Sequence, residues 1–340
     1  MNLSSTDLQE RKNSAQDSLF LKHTGTKYPI ICGAMYPCSN PELVAAVSNA
    51  GGIGIIQPLS LVFAHGYEFK EGLSFIQSLT QKPVGLNIIT EKSSKIYQQR
   101  MEKYLDIALD MGIRFYVTSL GNPAWVVKRV HAAGGFVYHD VVSRKWALKA
   151  LENGVDGLIC VNNRAGGHAG SESLEALFLE MTSLGVPLIA AGGLSTGQHI
   201  RHALALGYQG VQMGTRFIAT AECSAHKDYK EAIVKAQESD IVLTEKISGV
   251  PVSVILTESV RQMGLKAHPV ARVLLRHHRF KHWMRLFYTL NSFKRLKEAS
   301  LKGQHYKDFW QAGKSVEGID AIQSVNEVMR ELVSGLESGG

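Results

Sequence analysis

Three glycine-containing turns hold the residues best placed to do chemistry in this 340-residue chain. The first, Ala165-Gly166-Gly167-His168-Ala169-Gly170, follows the apolar run Gly157–Val161. Its glycines allow backbone to lie flat against a planar ligand. An imidazole set among small residues can serve as a base or a hydrogen-bond donor near neutral pH. Taken alone, His168 fits equally well as a side chain that caps a loop carbonyl.

The other two turns are Ala190-Ala191-Gly192-Gly193, after Val186–Ile189, and Gln212-Met213-Gly214-Thr215. Gly192 and Gly193 let backbone N–H groups approach phosphate oxygens, and a helix starting near Gly197 would add its positive end. Gly214 and Thr215 supply two more N–H donors and a hydroxyl. The bland alternative is a pair of tight turns. The phosphate reading is preferred because the two turns follow neighbouring strands.

Other chemistry is poorly supported. No GxGxxG is present, and the four cysteines, Cys32, Cys38, Cys160 and Cys223, show no CxxC spacing. Gly313-Lys314-Ser315 imitates the end of a P-loop, but Asp308 stands where the first glycine belongs. The pairs His278/His282 and His199/His202 lack an HExxH setting and read as basic helix faces, so no metal is expected.

The elements that would position these turns recur regularly. Eight short strand-like runs are legible: Pro29–Cys32, Ile53–Gln57, Pro83–Ile89, Arg114–Ser119, Gly135–His139, Gly157–Val161, Val186–Ala191 and Gly210–Met213. Between them lie amphipathic helical segments such as Pro41–Ala50, Tyr97–Met111, Ser143–Asn153 and Gly197–Leu206. Gly51, Gly112, Gly134, Gly154, Gly185 and Gly207 stand where helices should stop. Repeated helix, glycine, buried strand and polar loop predict an α/β chain closed as a (β/α)₈ TIM barrel. Chemistry in such a barrel sits at the carboxyl ends of the strands. This gathers Ala34-Met35-Tyr36, Asn87, Thr118-Ser119, His139-Asp140 and the three glycine turns on one rim, with the last two turns at the usual phosphate position.

Composition marks the rest. The net charge is +7, and the stretch from His226 to Trp310 carries 16 Lys and Arg against 8 Asp and Glu. Strand-like Val252–Thr257 is its one extended interruption, and Val270–Leu296 reads as one or two long helices. The predicted organisation is a polar disordered arm (1–18), a barrel (19–225 with 311–340, ending in a helix Ile319–Leu336), and a helical basic lid (226–310). No nucleic-acid motif accompanies the charge. The N-terminus shows no signal core and no apolar run is long enough to span a bilayer, so a cytoplasmic protein without a membrane partner is expected.

The chain resembles the nitronate monooxygenases, formerly 2-nitropropane dioxygenases. The likeness runs from about Tyr28 to Leu332. It rests on Pro29–Met35, Ala46–Gly54, Gly85-Leu86-Asn87, Ala165–Gly170, Ala191-Gly192-Gly193 with Gly197, Gln212–Phe217 and Ala312–Ser315. The resemblance implies a barrel that binds FMN. Ala34 and Met35 would lie against the flavin and Asn87 would bond its polar edge. Gly166 and Gly167 would admit the ring. Gly192, Gly193, Gly214 and Thr215 would hold the phosphate, with Ala191, Gln212 and Met213 beside them. His168 matches the family's active-site histidine. Three departures stand out: Arg164 where many members have glutamate, Asp140 where some have lysine, and Lys314 where glutamine is commoner.

The activity so implied is oxidation of alkyl nitronates, and of nitroalkanes after His168 removes a proton, by O₂ to a carbonyl compound and nitrite. The alternative keeps FMN and makes the protein an NAD(P)H-dependent reductase of quinones or enoyl thioesters. A third reading is a non-catalytic barrel that senses a phosphorylated ligand. The chain is compatible with a homodimer as well as a monomer.

Overall fold

A computed structural model describes residues 18–91, 95–246, 251–266, 297–301 and 309–337. Eight parallel strands form a closed barrel in chain order. They are β1 (Ile30–Cys32), β2 (Ile53–Ile56), β3 (Val84–Thr90), β4 (Phe115–Gly121), β5 (Phe136–Val141), β6 (Gly157–Val161), β7 (Leu188–Ala191) and β8 (Gly210–Met213). The ring closes where β1 pairs with β8, with Ile31 opposite Gln212 and Cys32 opposite Met213. All eight runs read from the sequence are present, and β6 and β8 have the bounds expected.

The barrel interior is filled by Ile31, Ile53, Ile55, Phe115, Val117, Tyr138, Ile159, Ile189 and Ala191. Its amino-terminal end is plugged by a short helix, α1 (Leu19–Thr24), whose Phe20 packs edge-on against Phe115 and Tyr138, with centroids 6.1 and 5.9 Å apart. A floor closed by apolar side chains leaves the opposite rim as the open end.

The outer ring comprises α2 (Pro41–Asn49), α3 (Phe69–Leu79), α4 (Lys95–Asp110), α5 (Ala124–Ala132), α6 (Arg144–Leu151), α7 (Leu174–Met181), α8 (Gly197–Leu206) and the single turn α9 (Thr215–Ile218). Pro41 takes the first helical position as expected. Asn40 before it makes no side-chain cap; its amide donates to the Glu222 carbonyl at 2.9 Å and accepts from the Ser224 N–H at 2.9 Å, tying the start of α2 to the segment after β8. All six glycines expected to end helices have positive φ, among them Gly185 at 73° and Gly207 at 115°.

Beyond β8 the chain forms α10 (Lys227–Lys235) and then an antiparallel ribbon of β9 (Ile241–Thr244) and β10 (Val252–Ile255), followed by α11 (Glu258–Met263). The sequence shows β10 as the one extended run here. β9 escapes it because its burial is partial and Leu243 faces solvent, so the apolar pattern lacks a clear period. The ribbon reaches the barrel through paired backbone bonds between Gly167 and Ser253, and Val254 stands opposite Gln311, where the Ile255 N–H donates to the Trp310 carbonyl at 2.9 Å. The expected helices over 270–296 and the arm at 1–17 lie outside the described residues.

The final helix, α12 (Val325–Glu337), begins six residues later than expected. The preceding stretch is spent on contacts: the buried Arg216 donates to the Ala321 carbonyl at 3.2 Å, and the Ala221 N–H donates to the Gln323 carbonyl at 2.8 Å. α12 packs on α8 and α2 and completes the outer ring.

Candidate active site at the barrel mouth

A cavity of about 200 Å³ opens at the carboxyl ends of β1 to β5 and β8. Ala34, Asn87 and Gln212 line it, as do Tyr36, Ser119 and Asp140 from the expected rim. Gln57, Ile89 and Val117 also line it and were not singled out in the sequence. The available signal for Gln57 was a polar residue closing an apolar strand. A more open hollow of about 440 Å³ lies beside α3 and α4, lined by residues such as Phe69, Ile96 and Arg100. It touches no strand end and collects no acid–base group of the rim.

Two polar atoms that line the cavity lack protein partners. The Asp140 Oδ1 and Gln212 Oε1 atoms are buried and make no hydrogen bond. Asp140 keeps some exposed surface because it lines the cavity, yet its carboxyl is sealed enough that burial raises its pKa to about 7, against a smaller lowering by the Gln212 amide. Asn87 donates from its side-chain nitrogen to the Val117 carbonyl at 3.2 Å, which directs the amide across to β4. Gln57 is held by the Ser60 N–H, 2.6 Å from its Oε1. Orphaned buried polar atoms cost free energy unless a ligand or water completes them. Such a cavity therefore suits a ligand that presents an N–H or O–H donor to these oxygens.

Next to it, His139 on β5 bonds Thr118 through Nδ1 at 2.8 Å, and burial lowers its pKa to about 4. It is neutral and structural at any ordinary pH. His168 sits differently. It is exposed at the mouth, but the protein around it desolvates the ring enough to lower its pKa below 6.5. A neutral imidazole is the form that accepts a proton.

The loop carrying His168 is clamped from outside the barrel. The Gly167 carbonyl accepts from the Ser253 N–H at 2.8 Å. The Lys314 N–H donates to the Arg164 carbonyl at 2.9 Å, and the Gly313 N–H donates to Thr215 Oγ1 at 3.0 Å. Thr215, read in the sequence as a ligand hydroxyl, thus also accepts a bond that anchors the return segment.

At the β7–α8 turn, Gly192 and Gly193 adopt φ of 112° and 73°, which side chains rarely tolerate. Asn162 braces this turn, donating to the Gly192 carbonyl at 2.9 Å. Met35 lies against Gly214, with its sulfur 3.3 Å from where a Cβ would stand. Met213 and Ala191 point into packed core. Gln212, Ala34 and Asn87 therefore share the cavity, while Gly192, Gly193, Gly214 and Thr215 form the rim beyond β7 and β8. His199 and His202 stay outside this constellation: His202 pairs with Glu175 at 3.0 Å, and His199 Nδ1 accepts from the Ser195 N–H at 3.2 Å. Among the described residues no cluster could hold a metal ion, and no helix is long and apolar enough to cross a membrane.

A family model for nitronate monooxygenase matches residues 17–335. The chain belongs to the nitronate monooxygenase family. As a member of that family it is a flavin-dependent oxidoreductase. A probable nitronate monooxygenase of Staphylococcus saprophyticus subsp. saprophyticus is 28% identical, over 70% of this chain and 78% of that protein. A second relative, also 28% identical, is the (3aS,4S,5R,7aS)-5-hydroxy-7a-methyl-1-oxo-octahydro-1H-indene-4-carboxyl-CoA dehydrogenase of Rhodococcus jostii (strain RHA1). That match covers 70% of this chain and 65% of the relative, so the chain spans just under two thirds of its length. Among solved structures, FabK from Thermotoga maritima superposes with a TM-score of 0.77 at 27% identity, over 94% of this chain and 96% of that one.

Proposed function

We propose that this nitronate monooxygenase family member binds FMN at the barrel mouth and oxidises alkyl nitronates, with O₂ as acceptor, to a carbonyl compound and nitrite. The observation that carries the reading is the cavity itself: orphaned Asp140 and Gln212 oxygens, the Asn87 amide beside them, and a left-handed glycine turn at the neighbouring rim. A flavin edge offers one N–H donor among carbonyl and ring-nitrogen acceptors, which fits that set. The cavity is smaller than a whole nucleotide ligand needs. It would take the ring, with the phosphate reaching the N–H groups of Gly192, Gly193, Gly214 and Thr215. FMN supplies the electron transfer when bound.

The chain's own residues do the rest. Ala34 and Met35 present small and thioether surface to the ring face. His168, held neutral, takes the α-proton of a nitroalkane on a ring nitrogen; with a nitronate already formed, it binds the anion as a donor instead. The ribbon that clamps Gly167 covers this loop on one side. Overall, two nitronates and one O₂ give two carbonyl compounds and two nitrites.

The second reading is an NAD(P)H-dependent FMN reductase of quinones or enoyl thioesters; the CoA-linked substrate in the name of one relative favours its thioester branch. Anaerobic mixing separates the two. Propyl nitronate is expected to bleach the flavin absorbance rapidly while NADH and NADPH leave it unchanged. Bleaching by a pyridine nucleotide alone would replace the first reading with the second. Protein that cannot be loaded with FMN would remove both.

A further inference from the structure

Arg164 lies against the glycine turn. A Cβ built on Gly193 would stand 2.6 Å from Arg164 Nε, 2.8 Å from its Cβ and 2.9 Å from its Cδ. The arginine stem therefore runs along the turn, and a side chain at Gly193 would displace it. The guanidinium ends in a two-bond fork on Glu238, at 2.8 and 2.7 Å. Lys314 Nζ approaches the same carboxylate at 3.2 Å.

Two cations thus share one anion beside Gly192–Gly193, and the cluster retains positive charge. Its Arg164 side chain is 38% exposed, so an anion can reach it. A partly exposed ion pair contributes only ~0–1 kcal/mol to stability. Fold stability alone is a weak reason to set three charged residues here. The Arg164 field also reaches the far side of the turn: His199 in α8 has its pKa lowered, first by burial and next by Arg164.

We propose that Arg164, oriented by Glu238, is the side-chain cation of the phosphate site at Gly192–Gly193, and that it makes this chain choose a phosphorylated flavin over the same flavin without phosphate. The proposal rests on the FMN reading above and adds a charge where that reading supplies backbone N–H groups. Arg164 departs from the glutamate of the family pattern, so the contribution would belong to this chain and not to the family at large.

The test titrates the full-length, flavin-free protein with FMN and with riboflavin, following the quenching of flavin fluorescence. Wild type is expected to prefer FMN. Arg164→Met should weaken FMN binding ~10–100-fold, the range for loss of one charge-assisted contact, and leave riboflavin binding within about twofold. Arg164→Gln keeps the polar stem and gives the same reading if the methionine variant does not fold. Equal losses for both ligands, or no loss for either, would overturn the role of Arg164 while the FMN reading stands. A wild-type protein with no preference for FMN over riboflavin would overturn both.

Discussion

Gly166 and Gly313 meet backbone to backbone across 147 positions of sequence. A Cβ on Gly166 would lie 2.8 Å from the Gly313 nitrogen, and one on Gly313 would lie 2.7 Å from the Gly166 nitrogen. The sequence explains Gly166 by a ligand that must come close. The fold adds a second cause, since the return segment after the ribbon rests directly on the histidine loop. The seat of the His168 loop therefore depends on a segment remote from it in sequence.

Gly313→Ala should push that loop from its seat. Overpacking of this kind costs about 1–3 kcal/mol, with a matching fall in thermal midpoint, and flavin content after purification should fall with it. Unfolding monitored by circular dichroism, together with the ratio of visible to ultraviolet absorbance, checks both. Unchanged stability and full flavin content would show that the contact is not needed to seat the loop.

The lowered pKa of His168, caused by desolvation from the protein around its ring, keeps the ring neutral below the ordinary value of 6.5. Proton abstraction from a nitroalkane should accordingly persist into acid, with the acidic limb of kcat/KM falling below pH 6.5. His168→Asn should slow turnover of a neutral nitroalkane by about 100-fold or more and slow nitronate turnover far less. Equal slowing of the two substrates would remove the general-base role.

Asp140 titrates in the opposite sense. Its folded pKa stands raised, from 3.8 to about 7, so the folded protein binds its proton more tightly than the unfolded chain does. The cost of burying the ionised carboxylate is absent below the lower value, grows across the window between the two, and is complete above about 7. Asp140→Asn should then stabilise the flavin-free protein more at pH 8 than at pH 5, by about 2–3 kcal/mol, because part of the cost is already present at pH 5. Urea unfolding at the two pH values measures the difference, and a pH-independent effect would show that Asp140 is ionised throughout.

All four cysteines are free and buried. Native protein should react with no equivalents of a thiol reagent on the minute timescale, and denatured protein with four. Rapid reaction of Cys38 or Cys223 in the native state would show that the segments after β1 and β8 open readily.

Much of this protein is written locally. Strand runs, helix periods and the glycines that end helices depend on near neighbours, so eight βα units, the closed barrel and the rim that carries Ala34, Asn87, His168 and Gln212 are legible from the sequence. Which rim residues converge is another matter. Gln57 enters the cavity only because closure of β1 on β8 brings the ends of β2 and β8 to one opening, and Asp140 acquires its raised pKa only there. Ribbon strand β9 hides because a two-stranded ribbon buries too little to impose a period. The pairing of Glu238 with Arg164 and Lys314 joins residues 74 or more positions apart; the two cations stand out in sequence, but nothing there shows that they meet on one carboxylate. Local pattern determines the elements through backbone geometry and burial. Charge pairing, desolvation and close backbone contact depend on distances between remote segments, and those exist only once the barrel has closed and the chain has returned across its mouth.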